Sequence, residues 1–150
     1  FRHLSMLAQI KSGDDDVWGS LRRSGHLVGK PGDALTGRMR RMRNWVEGPH
    51  FPDAAKVEVQ SSVSEEARAN LDEIHRSFLS ALAGALADCE WTDGAIADCI
   101  RATIGEEGIG GRDAYVALYW VILGKHHGPK ASSLMAEMES EHLLSLISET

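Results

Sequence analysis

The sequence predicts an all-α fold, a bundle or cage of about seven to eight helices. Apolar residues recur three and four positions apart through most of the chain, which is the period of a helix with one buried face. Glycine and proline interrupt this pattern, most clearly at residues 48–52 and 108–111. Residues 56–60 alternate instead, and they form either a short isolated strand or an extended connector.

Each helix follows from local signals. The acidic run at residues 14–16 suits the positive end of a helix dipole. Ser62 or Ser64 is placed to cap a later helix, and Thr92 or Asp93 the one after it. The predicted helices lie at about residues 4–10, 14–25, 33–47, 62–86, 92–105, 113–123, 130–138 and 141–148. The helix at 113–123 is apolar nearly all round, which indicates a central, buried element.

The length of 150 residues suits a single domain over residues 1–150. Within it, residues 1–30 could form a connecting helical segment and residues 31–150 the main helix cage. No apolar run approaches the roughly 20 residues that cross a bilayer. Since Phe1 replaces an initiator Met and no signal peptide follows, we expect a piece of a longer protein.

The net charge is −6, which argues weakly against general attraction to nucleic acid. The charge is uneven, however. Residues 1–50 hold nine basic and five acidic side chains, whereas residues 51–111 hold four and twelve. We therefore expect a polyanion to meet the first third of the chain and the basic turn at residues 125–130.

No metal centre or catalytic constellation is predicted. Cys89 and Cys99 lack the short paired spacing of a zinc site, and we expect reduced, partly buried thiols. His126 and His127 are adjacent, so their side chains would diverge. A small hydrolase that uses the histidines is the weakest functional hypothesis.

Residues 119–131 are the most informative stretch. A buried apolar helix stops at Gly124, a short basic turn follows, and Pro129 restarts a helix, in whose first turn proline is well tolerated. The restarted helix would aim free N–H groups at a phosphate or a polar base edge. The candidate contacts are Lys125, His126, His127, Gly128, Pro129 and Lys130. The alternative is a helical corner with solvated charges.

The helix at residues 33–47 offers a second candidate surface. Arg38, Arg41 and Trp45 share a face roughly 90° from the apolar stripe, at 100° per residue. Guanidinium groups pair with phosphate in a fork geometry, and aromatic rings stack on exposed bases. The alternative places Trp45 at the rim of the core, with solvated arginines.

These residues resemble the C-terminal region of class I lysyl-tRNA synthetases. Arg38, Asn44-Trp45 and Pro52 are similar to that family's Arg…Asn-Trp…Pro stretch, and Trp91-Thr92 is similar to its counterpart at a helix start. The strongest similarity runs from Ala114 to Ala131, an aromatic helix followed by Leu-Gly-Lys, two variable residues and Gly-Pro-basic-Ala. Glutamyl-tRNA synthetases carry a related turn, and the combination with Asn44-Trp45 favours the lysine enzyme.

The resemblance implies a class I synthetase anticodon-binding domain, an α-helix cage that holds the anticodon loop of lysine tRNA. An upstream domain of the same chain would catalyse aminoacylation with ATP and magnesium. The HIGH and KMSKS signatures are absent here, so we expect neither a catalytic site nor a cofactor in these 150 residues. A cytoplasmic, monomeric protein without membrane contact is expected.

Two departures from the family pattern bear on RNA binding. Lys130 stands where arginine is more usual, and Ser132-Ser133 replace what is often glycine with a bulky residue. Two further hypotheses stay open: a helical protein–protein adaptor without RNA binding, favoured slightly by the negative charge, and the equivalent domain of a glutamyl-tRNA synthetase.

Overall fold

The computed structural model describes residues 2–150. Phe1, on which the expectation of a longer protein was based, lies outside the described residues. Those residues contain helices and loops but no strand, so the all-α prediction is confirmed. The α-helices are α1 (Arg2–Ile10), α2 (Asp14–Arg23), α3 (Asp33–Val46), α4 (Glu65–Ala69), α5 (Glu73–Ala87), α6 (Asp93–Glu107), α7 (Gly111–Leu123), α8 (Ala131–Ala136) and α9 (Ser140–Ser148), with a 3-10 helix at Asp53–Ala55. None of the helices described is long and apolar enough to cross a membrane.

The chain divides into two compact units, with the division between Glu58 and Val59. The first unit contains α1 to α3 and the 3-10 helix, and the second contains α4 to α9. The sequence placed a boundary near residue 30 instead. The organisation of residues 1–30 and 31–150 within a single domain stays a prediction.

In the first unit, α1 packs on α2 and α3. The core side chains there include Leu7, Val17 and Met39, all fully buried. Arg43 of α3 ties the three helices together. Its guanidinium lies 2.5 Å from a carboxylate oxygen of Asp14 and donates to the carbonyl of Ala8 at 3.1 Å. Because the last carbonyls of a helix lack partners within it, this arginine stabilises the end of α1.

In the second unit, α5 packs against α6, α7 and α9, and α6 also packs against α8. The side chains of Leu118, Val121 and Ile122 in α7 are completely buried. This confirms the prediction that the apolar helix at 113–123 is a central element of the fold. The main-chain N–H of Gln60 donates to the carbonyl of Ile122 at 2.8 Å, which fixes the start of this unit.

Residues 62–86, predicted as one helix, form two, which raises the helix count above the expected seven to eight. The side-chain amide of Asn70 donates to the carbonyl of Glu66 and closes α4. Two residues later, Asp72 caps α5, since its carboxylate accepts from the N–H of His75 and its own N–H donates to the ring of that histidine. Such reciprocal capping starts a new helix and explains the break.

Residues 56–60 have no regular secondary structure, so they form a connector and not a strand. In the first unit, the N–H of Val57 donates to the side chain of Gln9 at 2.6 Å. A side-chain acceptor therefore replaces the partner strand that this segment lacks.

Candidate nucleic-acid interface

The first candidate surface consists of Arg38, Arg41 and Trp45, here called the α3 surface. All three side chains are exposed, while Met39 and Met42 on the neighbouring face of α3 are buried. The 3.6-residue period of the helix places these two sets apart, as the sequence predicted. Trp45 is 43% exposed and is therefore not sealed in the core.

Trp45 is nonetheless held in place. Its ring packs edge-on against Phe51, with ring centroids 4.9 Å apart and planes at 89°. Phe51 is only 5% exposed, so it provides a fixed support. Gly48 permits the tight chain reversal between them, because a Cβ there would lie 3.0 Å from the carbonyl oxygen of Asn44. A supported but accessible indole is well suited to stacking on a nucleobase.

The other arginines of α3 do not join this surface. Arg43 is half-buried in its contact with Asp14, and Arg40 is exposed and lines a groove of about 500 Å³. The groove also contains Asp33 and Glu47, and its mixed charge gives a polyanion little reason to enter. Arg40 and Arg43 are therefore not part of the α3 surface.

The second candidate surface is the α7–α8 turn, residues 124–130. Gly124 ends α7 in the left-handed conformation, with φ of 65° and its N–H bonded to the carbonyl of Trp120. His126 lies beside the ring of Trp120 at 6.3 Å between centroids. His127 packs edge-on against His126 at 4.9 Å, so the prediction that these adjacent side chains diverge is wrong. Both histidines are exposed, so two imidazole rings are accessible to solvent beside the indole of Trp120.

Gly128 is required by packing inside this turn. A Cβ on Gly128 would lie 2.5 Å from Cδ1 of Leu123 and 3.1 Å from Cδ1 of Tyr119. The phenol of Tyr119 donates a hydrogen bond to the carbonyl of Pro129 at 2.6 Å. Burial raises the pKa of Tyr119, and the neighbouring Tyr115 raises it further, so this phenol stays protonated at neutral pH. Gly128 and Pro129 therefore shape the turn rather than present side-chain chemistry.

The prediction that Pro129 lies in the first turn of the helix after this turn is wrong. Helix α8 starts at Ala131 with Lys130 as its N-cap, so Pro129 precedes the helix instead of occupying its first turn. The start of α8 also already faces a carboxylate of this chain. The hydroxyls of Ser132 and Ser133 each donate to Asp93 at 2.6 Å.

Asp93 also lies 3.1 Å from the ammonium of Lys130, whose side chain is 68% exposed. Burial raises the pKa of Asp93, but the hydrogen bonds from Ser132, Ser133 and Lys130 outweigh it and leave the pKa below its usual 3.8. The carboxylate is therefore ionised at neutral pH. It is the first residue of α6, where the helix dipole also favours a negative charge.

The basic residues of the turn could be predicted from the sequence, but the carboxylate that holds Lys130 could not. Asp93 lies 37 positions before Lys130, and no local pattern links the two. Trp91 was also missed as a support, although its indole N–H donates to the carbonyl of Met138 at 2.9 Å. The adjacent Trp91-Thr92-Asp93 was noticed only as a helix start.

The described residues offer no candidate metal-binding site. No three His, Cys, Asp or Glu side chains are grouped there so as to hold an ion. Cys89 and Cys99 are half-buried free thiols.

A family model described as anticodon binding domain matches residues 22–149. A lysine–tRNA ligase of Picrophilus torridus is 24% identical over 154 aligned positions, which cover 100% of this chain and 29% of the relative. A lysine–tRNA ligase of Methanopyrus kandleri is 28% identical over 163 positions, covering 98% and 28%. The chain thus spans less than a third of the length of these relatives, and by its match to the family model it belongs to the anticodon-binding domain family.

Proposed function

We propose that this chain binds the anticodon loop of lysine tRNA and forms the tRNA-binding part of a lysine–tRNA ligase. The family match over residues 22–149 is the observation that carries the proposal, and the shared name of both relatives supports the amino acid. In the whole protein, an upstream domain would join lysine to the tRNA with ATP and magnesium, in the cytoplasm. The chain is proposed to act as a monomer.

The α3 surface is proposed to hold one part of the loop. Arg38 and Arg41 would pair with phosphates, because a guanidinium presents two parallel N–H groups that match phosphate oxygens. Trp45 would stack on an unpaired base, supported from behind by Phe51. Single-stranded loops are where proteins read RNA sequence, since their bases can be unstacked.

The α7–α8 turn is proposed as a second contact. Lys125 and Lys130 would approach phosphates, and His126 and His127 would offer hydrogen bonds or stacking to bases. Gly128 and Pro129 would keep the turn close to Tyr119. Basic residues at this spot give local attraction for RNA within a chain whose net charge is −6.

A gel-shift titration of the purified chain with lysine tRNA and with total tRNA tests this function. We expect a retarded band with lysine tRNA and a weaker one with total tRNA. The adaptor alternative predicts no retarded band with either. A preference for glutamate tRNA over lysine tRNA would favour the corresponding glutamyl enzyme instead.

Salt titration of single variants tests the two surfaces separately. Arg38→Ala and Lys130→Ala should each weaken binding. Each should also reduce the magnitude of the negative slope of log affinity against log salt by about 0.7, the value for one phosphate contact in single-stranded RNA. Arg101→Ala is the matched control, because it removes one positive charge from an exposed residue of α6 outside both surfaces. Slopes equal to the control would overturn the residue assignment.

A further inference from the structure

The carboxylate of Asp93 gathers three donors from the segment that enters α8. It accepts from the hydroxyls of Ser132 and Ser133 at 2.6 Å and lies 3.1 Å from the ammonium of Lys130. Both serines are buried, at 3% and 8% exposure, whereas Lys130 is exposed. One carboxylate thus connects the interior packing of α8 with an exposed cation of the α7–α8 turn.

The same short segment also holds the other end of α8. Two residues before Asp93, the indole of Trp91 donates to the carbonyl of Met138. Residues 91–93 therefore bond both to the start of α8 and to the chain just after its C-cap, and Thr92 between them caps α6 through the N–H of Ala95. Since α8 has only six residues, it depends on contacts outside itself, which comprise these hydrogen bonds and the packing of the fully buried Leu134 and Met135.

We propose that Asp93 is a positioning residue for tRNA binding, which holds Lys130 and the start of α8 so that the ammonium meets an RNA phosphate. This inference rests on the proposed function, because it assigns Asp93 a role at the α7–α8 turn. Asp93 itself would not touch the RNA. Its effect would pass through the side chain that it orients.

A carboxylate near a phosphate site could instead oppose RNA binding by repulsion. Two features argue that orientation outweighs repulsion here. The charge of Asp93 is already compensated by two hydroxyl donors and Lys130, and it lies at the positive end of α6. Lysine has a long, flexible side chain with three donors, so Lys130 can keep one on Asp93 and offer others to a phosphate.

The direction in which one substitution changes RNA affinity distinguishes orientation from repulsion. Asp93→Asn removes a negative charge, and electrostatics alone would make it bind RNA more tightly. We expect it to bind an anticodon stem-loop RNA of lysine tRNA about fivefold more weakly, because the ion pair with the lysine is lost and the hydrogen bonds from the serines lose their charge assistance. Asp98→Asn is the matched control, since it makes the same charge change in the same helix, where Asp98 pairs with Arg101. The control should change affinity less than about twofold.

A double-mutant cycle with Lys130→Ala tests whether the effect passes through Lys130. If it does, the variant that combines Asp93→Asn with Lys130→Ala should bind as weakly as Lys130→Ala alone, and both single variants should lose about 0.7 from the salt slope. If Asp93→Asn acted through a general loss of structure instead, its effect on affinity would add to that of Lys130→Ala, and Asp93→Asn alone would leave the salt slope unchanged.

Should Asp93→Asn fail to fold, as judged by circular dichroism, Ser133→Ala replaces it. This variant keeps the carboxylate and the lysine and changes no charge. We expect about twofold weaker RNA binding, again non-additive with Lys130→Ala.

The outcomes for the two proposals differ. Tighter or unchanged binding by Asp93→Asn, with Lys130→Ala still weakened, overturns the role of Asp93 and leaves the proposed function in place. Normal binding by Lys130→Ala shows that this lysine does not meet the RNA, and the role of Asp93 then falls with it. Absence of binding by the unaltered chain overturns the proposed function itself.

Discussion

The phenol of Tyr119 donates a hydrogen bond to the carbonyl of Pro129, and the two atoms are 2.6 Å apart. This bond joins the middle of α7 to the residue that precedes the N-cap of α8. The ring of the same tyrosine and the side chain of Leu123 together crowd the position that a Cβ on Gly128 would take. Tyr119 thus shapes the α7–α8 turn in two ways: its hydroxyl bonds to Pro129, and its ring packs against Gly128.

Tyr119→Phe should lower the free energy of unfolding by about 0.5–1.5 kcal/mol, the usual worth of a neutral hydrogen bond. The ring and its packing remain, so the loss reports the hydroxyl. Urea unfolding followed by circular dichroism measures it. Tyr115→Phe, in the same helix, is the control and should stay within about 0.5 kcal/mol of the unaltered chain. Equal losses for the two variants would contradict the role of the Pro129 contact.

Gly128→Ala should destabilise the chain by about 1–3 kcal/mol, because the added methyl overlaps Leu123 and Tyr119. Leu123 is buried and the tyrosine is held by its hydroxyl, so neither side chain can move aside freely. Gly84→Ala provides the opposite case: this glycine lies inside α5 with open space around its Cβ position. It should stabilise by about 0.5–1 kcal/mol. The same unfolding experiment compares the two, and equal effects would contradict the packing argument.

Asp93 should contribute stability that depends on pH. Its pKa is lower in the folded chain than the ordinary value of 3.8, so the folded state binds the proton less readily than the unfolded state does. The stabilisation is fully present above about pH 4 and is lost as the pH falls through the folded-state pKa. The difference in unfolding free energy between the unaltered chain and Asp93→Asn should therefore be constant from neutral pH to about pH 4 and then shrink. A difference that grows on acidification would contradict the arrangement.

Trp45→Ala should weaken binding to lysine tRNA about 5- to 150-fold, since stacking on one base is worth about 1–3 kcal/mol. Trp45→Phe should retain most of the affinity, because phenylalanine can still stack. Equilibrium titration with labelled tRNA gives both values. The unfolding free energies of the variants control for the lost contact with Phe51. Unchanged affinity in Trp45→Ala would show that this indole does not meet the RNA.

Elements with a strong local pattern could be predicted from the sequence. The apolar stripe of α3 and the nearly all-apolar α7 determine which faces are buried, and Gly124 ends α7 as expected. The break between α4 and α5 was missed because apolar spacing continues across it. Only the capping side chains of Asn70 and Asp72 show where the first helix ends and the second begins.

The candidate residues at the α7–α8 turn could be predicted, but their surroundings could not. Proline before a helix and proline in its first turn look the same in a sequence, and the structure places Pro129 before α8. The pairing of Lys130 with Asp93 depends on how α6 packs against α8. Contacts between side chains so far apart along the chain arise from tertiary packing, which helical periodicity does not encode.

The most direct test of the central claim is the affinity of this chain for lysine tRNA and for the same tRNA with a different anticodon. An anticodon-binding domain should bind the altered tRNA at least about tenfold more weakly, a difference of about 1.4 kcal/mol. Both RNAs carry the same number of phosphates, so general electrostatic attraction cancels in the comparison. Equal affinity for the two would contradict recognition of the lysine anticodon.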